Sequence, residues 1–337
     1  MPDSPLILAA IKYRYRLDTA SQRDLERLIN AYTSLASRLK DKIDLLVAEL
    51  VANPELTTGQ VARMSRYKSL ITAIADELQR YGIFLETELG GIANAALAQS
   101  TLDARALFRL ATQRAGVTGG FNQLPTNAIK TLLGFLAPDS PLYQRIHELA
   151  PLTTQIIADK ILEGVGLGYN PQKVGRMIMD DLGQGLSSAM RWARTTQMWT
   201  YREASRATMA ANANVLDGWI WFAILDEAIP PCESCLVQHG QLFPLDETLD
   251  DHYNGRCVAL PHVAGDDNPV ETSGEEWFNS LDESKQQEIL GIGKLAAFKD
   301  GQFDFSQLTQ QIPDDILGTM RTTTPLWELL GAEPPLR

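Results

Sequence analysis

Apolar positions in the first hundred residues recur at steps of three and four. Leu25, Leu28, Tyr32, Leu35, Leu39, Ile43, Leu46 and Leu50 form one series, and that spacing puts them on one face of an α-helix. Thr19 and Gln22 fit a capping box at its start. Asn53-Pro54-Glu55 marks its end, because proline cannot continue the hydrogen-bond ladder. A second series follows at Val61, Met64, Tyr67, Ile71, Ile74, Leu78, Tyr81, Leu85, Leu89 and Ile92. Two such helices across a short break predict an antiparallel helical hairpin. Its apolar stripes are read first as the seam of an intramolecular bundle, and only second as a coiled coil facing a partner.

The pattern weakens over 101–150, with loops expected at 116–120 (GVTGG) and 136–143 (LAPDSPLY). From Thr153 the helical period returns and predicts two helices, separated by a glycine-rich turn, with Pro171 opening the second. That turn, GVGLG, is no phosphate loop. It follows a helix instead of a strand and lacks the Lys-Ser/Thr ending. A further helix over 187–212 presents Arg191 with Arg194 and Arg202 with Arg206, each pair spaced to share a face. A solvated face is the default for such arginines, and a dock for an acidic partner is the alternative.

At 218–226 the texture changes. GWIWFAILD has apolar side chains pointing both ways and reads as a central strand. Short strands are expected at 241–245 and 256–263, then helix within 274–299 and an extended tail from 322. The fold class expected is mainly α with a small β-rich zinc-knuckle region (α+β), carried by an N-terminal long helical hairpin or bundle. Four segments follow: 1–100 as the hairpin, 101–215 as a helical middle domain, 216–265 as the β-rich region, and 266–337 as a C-terminal helix and tail.

Composition narrows the function. Hydrophobic residues make up 45% and charged residues 21% of the 337, an ordinary balance for a globular chain. The early apolar run LILAAI precedes KYRYR, the reverse of a secretory signal, and WIWFAIL is far too short to span a bilayer. The net charge of −12 is concentrated at the end: residues 201–337 hold 8 Lys or Arg against 23 Asp or Glu. Such a segment repels phosphates, so nucleic-acid binding there is expected to be weak or absent.

The three cysteines exclude a fully paired disulfide framework and suit a reducing compartment. They cluster. Cys232 and Cys235 form a CxxC knuckle, and His252 with Cys257 completes Cys-x2-Cys-x16-His-x4-Cys. Three sulfurs and one nitrogen make a sound tetrahedral zinc set, and four protein ligands leave no open position for water. The site is therefore expected to be structural. His239 is close enough in sequence to compete with His252 for the nitrogen position. The bland alternatives are three free thiols or a redox CxxC. The redox motif should open a helix after a strand, and LVQHGQLFP looks like a poor helix.

Catalytic readings fare worse. Pro231-Cys232-x-x-Cys235 matches half of the zinc-deaminase pattern, but the His-x-Glu half is missing: His147 is followed directly by glutamate. A nuclease built on DDHYNGRC would use His252 as general base, where the metal needs a ligand.

This region resembles the Mu F-like family of phage minor head proteins, the head-morphogenesis proteins. The resemblance runs from the helix ARTTQMWTYREASRATMAAN through the strand ending at Asp226, then CESCLVQHGQLFPLD, then HYNGRC leading into VALP. The later WFNSLDESKQQEILGIGKLAAFKDGQFDFSQL also fits, so roughly residues 150–310 are covered. Two positions depart from the family pattern. Thr196 stands where glutamate is usual, and Gly255 where the first cysteine of Cys-Arg-Cys is common. The resemblance implies a low-copy virion component inside the capsid or at the portal vertex, present in host cytoplasm during assembly. Its implied partners are the portal protein, the major capsid protein and a scaffold, with no membrane. The class of function set against this is a zinc-dependent enzyme, such as a nuclease or toxin-like effector.

Overall fold

The computed structural model describes residues 4–124, 139–253, 255–314 and 318–334. Part of the loop expected at 136–143 and the last three residues of the tail lie outside them. The chain is mainly helical, with long N-terminal helices packed together and small antiparallel sheets near the Cys/His cluster. In chain order the helices are α1 (Pro5–Ala52), α2 (Thr58–Val61), α3 (Ser65–Arg114), α4 (Pro141–Gly166), α5 (Pro171–Ala210), α6 (Glu233–Gln238), α7 (Gly274–Ser280), α8 (Glu283–Lys299) and α9 (Leu326–Leu329). The strands are β1 (Leu216–Phe222), β2 (Leu242–Phe243), β3 (Val258–Val263), β4 (Thr309–Asp314) and β5 (Gly318–Thr323).

The chain divides into two compact units. One takes residues 1–18, 95–133 and 198–337; the other takes 19–94 and 134–197. Helices α1, α3 and α5 each contribute a segment to both, so a boundary at residue 100 falls inside α3.

Among the described residues, the second unit is a bundle of four long helical segments with the short α2 beside them. The α1 stripe is buried at every named position from Leu25 to Leu50, and the α3 stripe at Tyr67 and from Ile74 to Ile92; at the Ile71 step the named residue is half-buried and its neighbour Leu70 is buried instead. Tyr32 meets Tyr81 edge-on at 4.8 Å. Arg38 pairs with Glu77 and Arg27 with Glu88, so one helix runs forward as the other runs back. The Tyr32 hydroxyl donates to the Leu182 carbonyl of α5, and Lys160 of α4 pairs with the buried Asp181 of α5.

Several helix ends differ from expectation, each for a local reason. Helix α1 starts at Pro5, because the buried positions Leu6, Ala10, Arg14 and Leu17 extend the stripe upstream and override the Thr19–Gln22 box. The capping box instead forms at Thr57–Gln60 and starts α2. Helix α3 continues to Arg114 through a stretch that looked patternless. Helix α4 begins at Pro141, where Ser140 caps it and proline sits in its first turn. The second glycine-rich stretch, at Gly183 and Gly185, does not break α5, which runs unbroken to Ala210. Gly185 lies against Tyr32, where a Cβ would meet the hydroxyl at 2.8 Å.

In the first unit the sheet order is β2-β1-β3, all antiparallel, so β1 is central. Trp219, Ile220 and Trp221 are fully buried there, packed with Leu6 and Ala10 of α1, Leu107 and Phe108 of α3, and Met209 of α5. A second apolar cluster joins Leu236 of α6 to Phe278, Leu290, Phe303 and Phe305. Strands β4 and β5 pair antiparallel, from Thr309 opposite Thr323 to Asp314 opposite Gly318; the sequence predicts no strand there, and β5 runs into the start of the tail expected from 322. Among the described residues, no helix is long and apolar enough to cross a membrane.

Candidate metal centre

Two loops of the first unit carry the cysteines. The first follows β1 and enters α6. Cys232 is its N-cap residue, and Cys235 lies one turn in, buried. The CxxC therefore does open a helix, contrary to the reading of that segment as a poor one. The helix stops after six residues, at Gln238. Glu233, inside the knuckle, is buried against Lys294 of α8, and Ser234 hydrogen-bonds Thr309 of β4 at 2.7 Å. The knuckle is thus braced by two later elements.

The second loop lies between β2 and β3 and carries His252 and Cys257. His252 Nε2 is 3.0 Å from Cys232 Sγ and 3.7 Å from Cys235 Sγ. Cys232, Cys235 and His252 converge with their donor atoms within 4.8 Å of one another, and Cys235, Asp251 and Cys257 do the same. Cys235 belongs to both groups. The four residues expected as ligands therefore form one buried cluster that could hold a metal ion.

The donor chemistry fits such an ion. His252 Nδ1 lies 2.8 Å from the Tyr253 carbonyl. A ring N–H donating there leaves Nε2, the atom facing the sulfurs, as the nitrogen that can bind a metal once its proton is lost. Metal-binding histidines are oriented by this kind of outer hydrogen bond. His239 lies apart from the cluster. Its Nδ1 accepts the Ala223 backbone N–H at 3.0 Å, and its ring packs on Phe222.

Asp251 was missed in the sequence, and it is the hub of the loop. Its Oδ2 accepts from Arg202 of α5 at 2.8 Å and from the Cys257 backbone N–H at 3.3 Å. Its Oδ1 accepts from the His252 backbone N–H at 2.9 Å and from the Cys235 thiol at 3.3 Å. Arg202 also donates to the carbonyls of Gly255 and Cys257 at 3.1 and 3.4 Å, and Arg14 of α1 reaches the Gly255 carbonyl at 3.4 Å. Arg202 is therefore spent inside the fold, not offered to an acidic partner. Arg206 pairs with Glu203. An aspartate beside His252, inside an acidic run, gives no sequence signal that its carboxylate turns inward.

Charge at the cluster is divided unevenly. The hydrogen bond from Cys235 holds the Cys232 thiol down to about 5 against the cost of burial, with His252 assisting. Burial works against charge on His252, yet Cys232 and Asp251 raise it to about 9. Cys235 is pushed well above the ordinary thiol range by its hydrogen bonds to Cys232 and Cys257 and by burial. Burial also raises Cys257. For Asp251, burial alone would raise the carboxyl, but Arg202, His252 and its hydrogen bonds hold it below the usual range. Without metal the cluster is thus a thiolate–imidazolium pair beside two neutral thiols.

Comparison with known proteins finds no family model, no curated protein and no solved structure that matches this chain.

Proposed function

We propose that this protein is a structural and interaction component of a phage head, a minor capsid or head-morphogenesis protein whose β-rich module is closed by one zinc ion. The observation that carries the reading is the convergence of Cys232, Cys235, His252 and Cys257 from two loops, in the motif order that resembles the Mu F-like minor head proteins. Zinc suits three sulfurs and one imidazole better than harder cations do. Bound there, it would tie the turn after β1 to the turn before β3 and supply folding free energy to a small sheet.

A structural role is favoured over a hydrolytic one by Asp251. A hydrolytic centre needs a base free to take a proton from water. The carboxylate at this cluster is engaged by Arg202, two backbone N–H groups and a thiol. The protein's place is then the virion, at the portal vertex or capsid interior, with assembly in host cytoplasm. Its partners are the portal and major capsid proteins, and a scaffold during assembly. Long helical faces are suited to such contacts, and the acidic C-terminal part keeps DNA binding weak.

Quantitative mass spectrometry of purified procapsids and mature particles tests this reading. Low-copy presence in either supports it. Absence from both removes the structural reading and returns the zinc-enzyme one.

A further inference from the structure

Outside the thiol cluster, the first unit holds a cavity of about 310 Å³, within the size range of small-ligand sites. Its apolar walls come from separate parts of the chain: Ile7 and Ile11 of α1, Phe222 at the end of β1, Val270, and Trp277 of α7. Ser4, His239, Glu271 and Thr272 add polar groups to the lining. His239 is 4% exposed, and its Nδ1 is taken by the Ala223 N–H, which fixes the ring proton on Nε2. That N–H has no hydrogen-bond partner among the described residues. The Ser4 hydroxyl oxygen is buried and also without a partner. A buried polar group left unpaired is destabilising, so the Ser4 hydroxyl, with the His239 Nε2–H on the same lining, marks a place where a ligand restores what the fold leaves out.

We propose that this cavity binds an uncharged apolar amide, its carbonyl accepting from His239 Nε2–H and its N–H donating to Ser4 Oγ. The amide chemistry follows from the pair of groups: one is a donor only, and the other accepts as readily as it donates. Burial keeps His239 neutral, with its pKa lowered to about 4, so the site offers no cation to an anionic ligand. The charged residue at the lining, Glu271, further disfavours a carboxylate. The apolar body is an aromatic ring or short alkyl chain lying between Phe222, Val270 and Trp277. The source is either a free small amide or an apolar residue of a polypeptide, and both present the same groups.

The test uses the full chain and two probes, N-benzylacetamide and the capped tripeptide acetyl-Ala-Phe-Ala-amide, titrated by calorimetry and ligand-observed NMR. Saturable binding of either probe is expected, and the tighter one identifies the source. Ile11→Trp fills the cavity and should abolish binding. His239→Asn keeps an acceptor for the Ala223 N–H but removes Nε2–H, and should weaken binding by about 3- to 10-fold, as loss of one neutral hydrogen bond does. Ser4→Ala should weaken it similarly without touching the Ala223 contact, so it remains informative if His239→Asn folds poorly. No saturable binding to the wild type up to the probes' solubility overturns the proposal. So does binding to Ile11→Trp equal to that of the wild type.

Discussion

Arg202 on α5 and Asp251 in the β2–β3 loop form an ion pair at 2.8 Å, with side chains only 10% and 1% exposed. Because Arg202 also holds the carbonyls of Gly255 and Cys257, one side chain fixes the whole turn that presents His252 and Cys257. The geometry of the cluster is thus set jointly by Asp251 within the loop and by a helix some fifty residues earlier in the chain.

Removing one partner of a buried pair is costly, because it strands the other charge. Arg202→Met should destabilise the protein by about 3–5 kcal/mol, measured by urea unfolding. Arg202→Lys keeps the charge but loses the fork that serves three acceptors at once, so its cost should fall between those of wild type and Arg202→Met. An unchanged midpoint in both variants would show that the turn holds itself.

Zinc loading should release about three protons at neutral pH. A metal ligand must be deprotonated, and of the four donors Cys232 alone, held near 5, already is. His252, raised to about 9, must lose a proton, as must Cys235 and Cys257, both raised. Affinity should therefore fall as pH falls. Calorimetry in buffers of different ionisation enthalpy counts the protons directly. The same titration should give one zinc per chain, lost in Cys232→Ser. Release of one proton or none would contradict the charge distribution.

Much of this architecture is legible in the sequence because burial and periodicity coincide. The Leu25–Leu50 and Ile74–Ile92 stripes are core positions, and the strand expected at 218–226 is central because both its faces are covered, although it spans Leu216–Phe222. The four clustered donors were likewise visible, since cysteine and histidine are scarce here and their spacing is informative. Helix ends were less so. Thr19–Gln22 satisfies the local rule for a cap, but Leu6, Ala10 and Leu17 find partners on α3, α5 and β1 that the local sequence does not show. Asp251 and Arg202 were illegible for a related reason. A buried ion pair is made by two residues that each look like solvated charge, and only the fold brings them together.

Acid should destabilise the protein partly through His239. Its pKa is lowered to about 4 by burial, against about 6.5 in an unfolded chain. The unfolded state therefore binds more protons between these values. The contribution of neutral His239 is fully present above about pH 6.5 and is lost as pH falls toward 4, by about 3 kcal/mol at most. His239→Asn cannot take up that proton. The wild type should lose more stability than the variant between pH 7 and 4.5, read from thermal melts at each pH. Parallel profiles would mean that His239 is already accessible to solvent.

Gly255 should tolerate no side chain. A Cβ there would lie 2.0 Å from Asp251 Oδ2 and 2.2 Å from its Cγ, inside the carboxylate that Arg202 and two backbone N–H groups hold in place. Gly255→Ala should therefore cost about 3 kcal/mol or more, combining overpacking with disruption of the buried pair, and should lower zinc affinity through displacement of Cys257. Gly255→Cys should do the same, although it adds a metal-binding thiol. The Asp251→Ala change opens the space but strands Arg202, so it is destabilising alone. If the clash is the cause, the double variant Asp251→Ala/Gly255→Ala should be much less destabilised than the two single costs combined. Such coupling is expected only for groups in contact. Additive costs in the cycle would place the strain of a residue-255 side chain somewhere other than on Asp251.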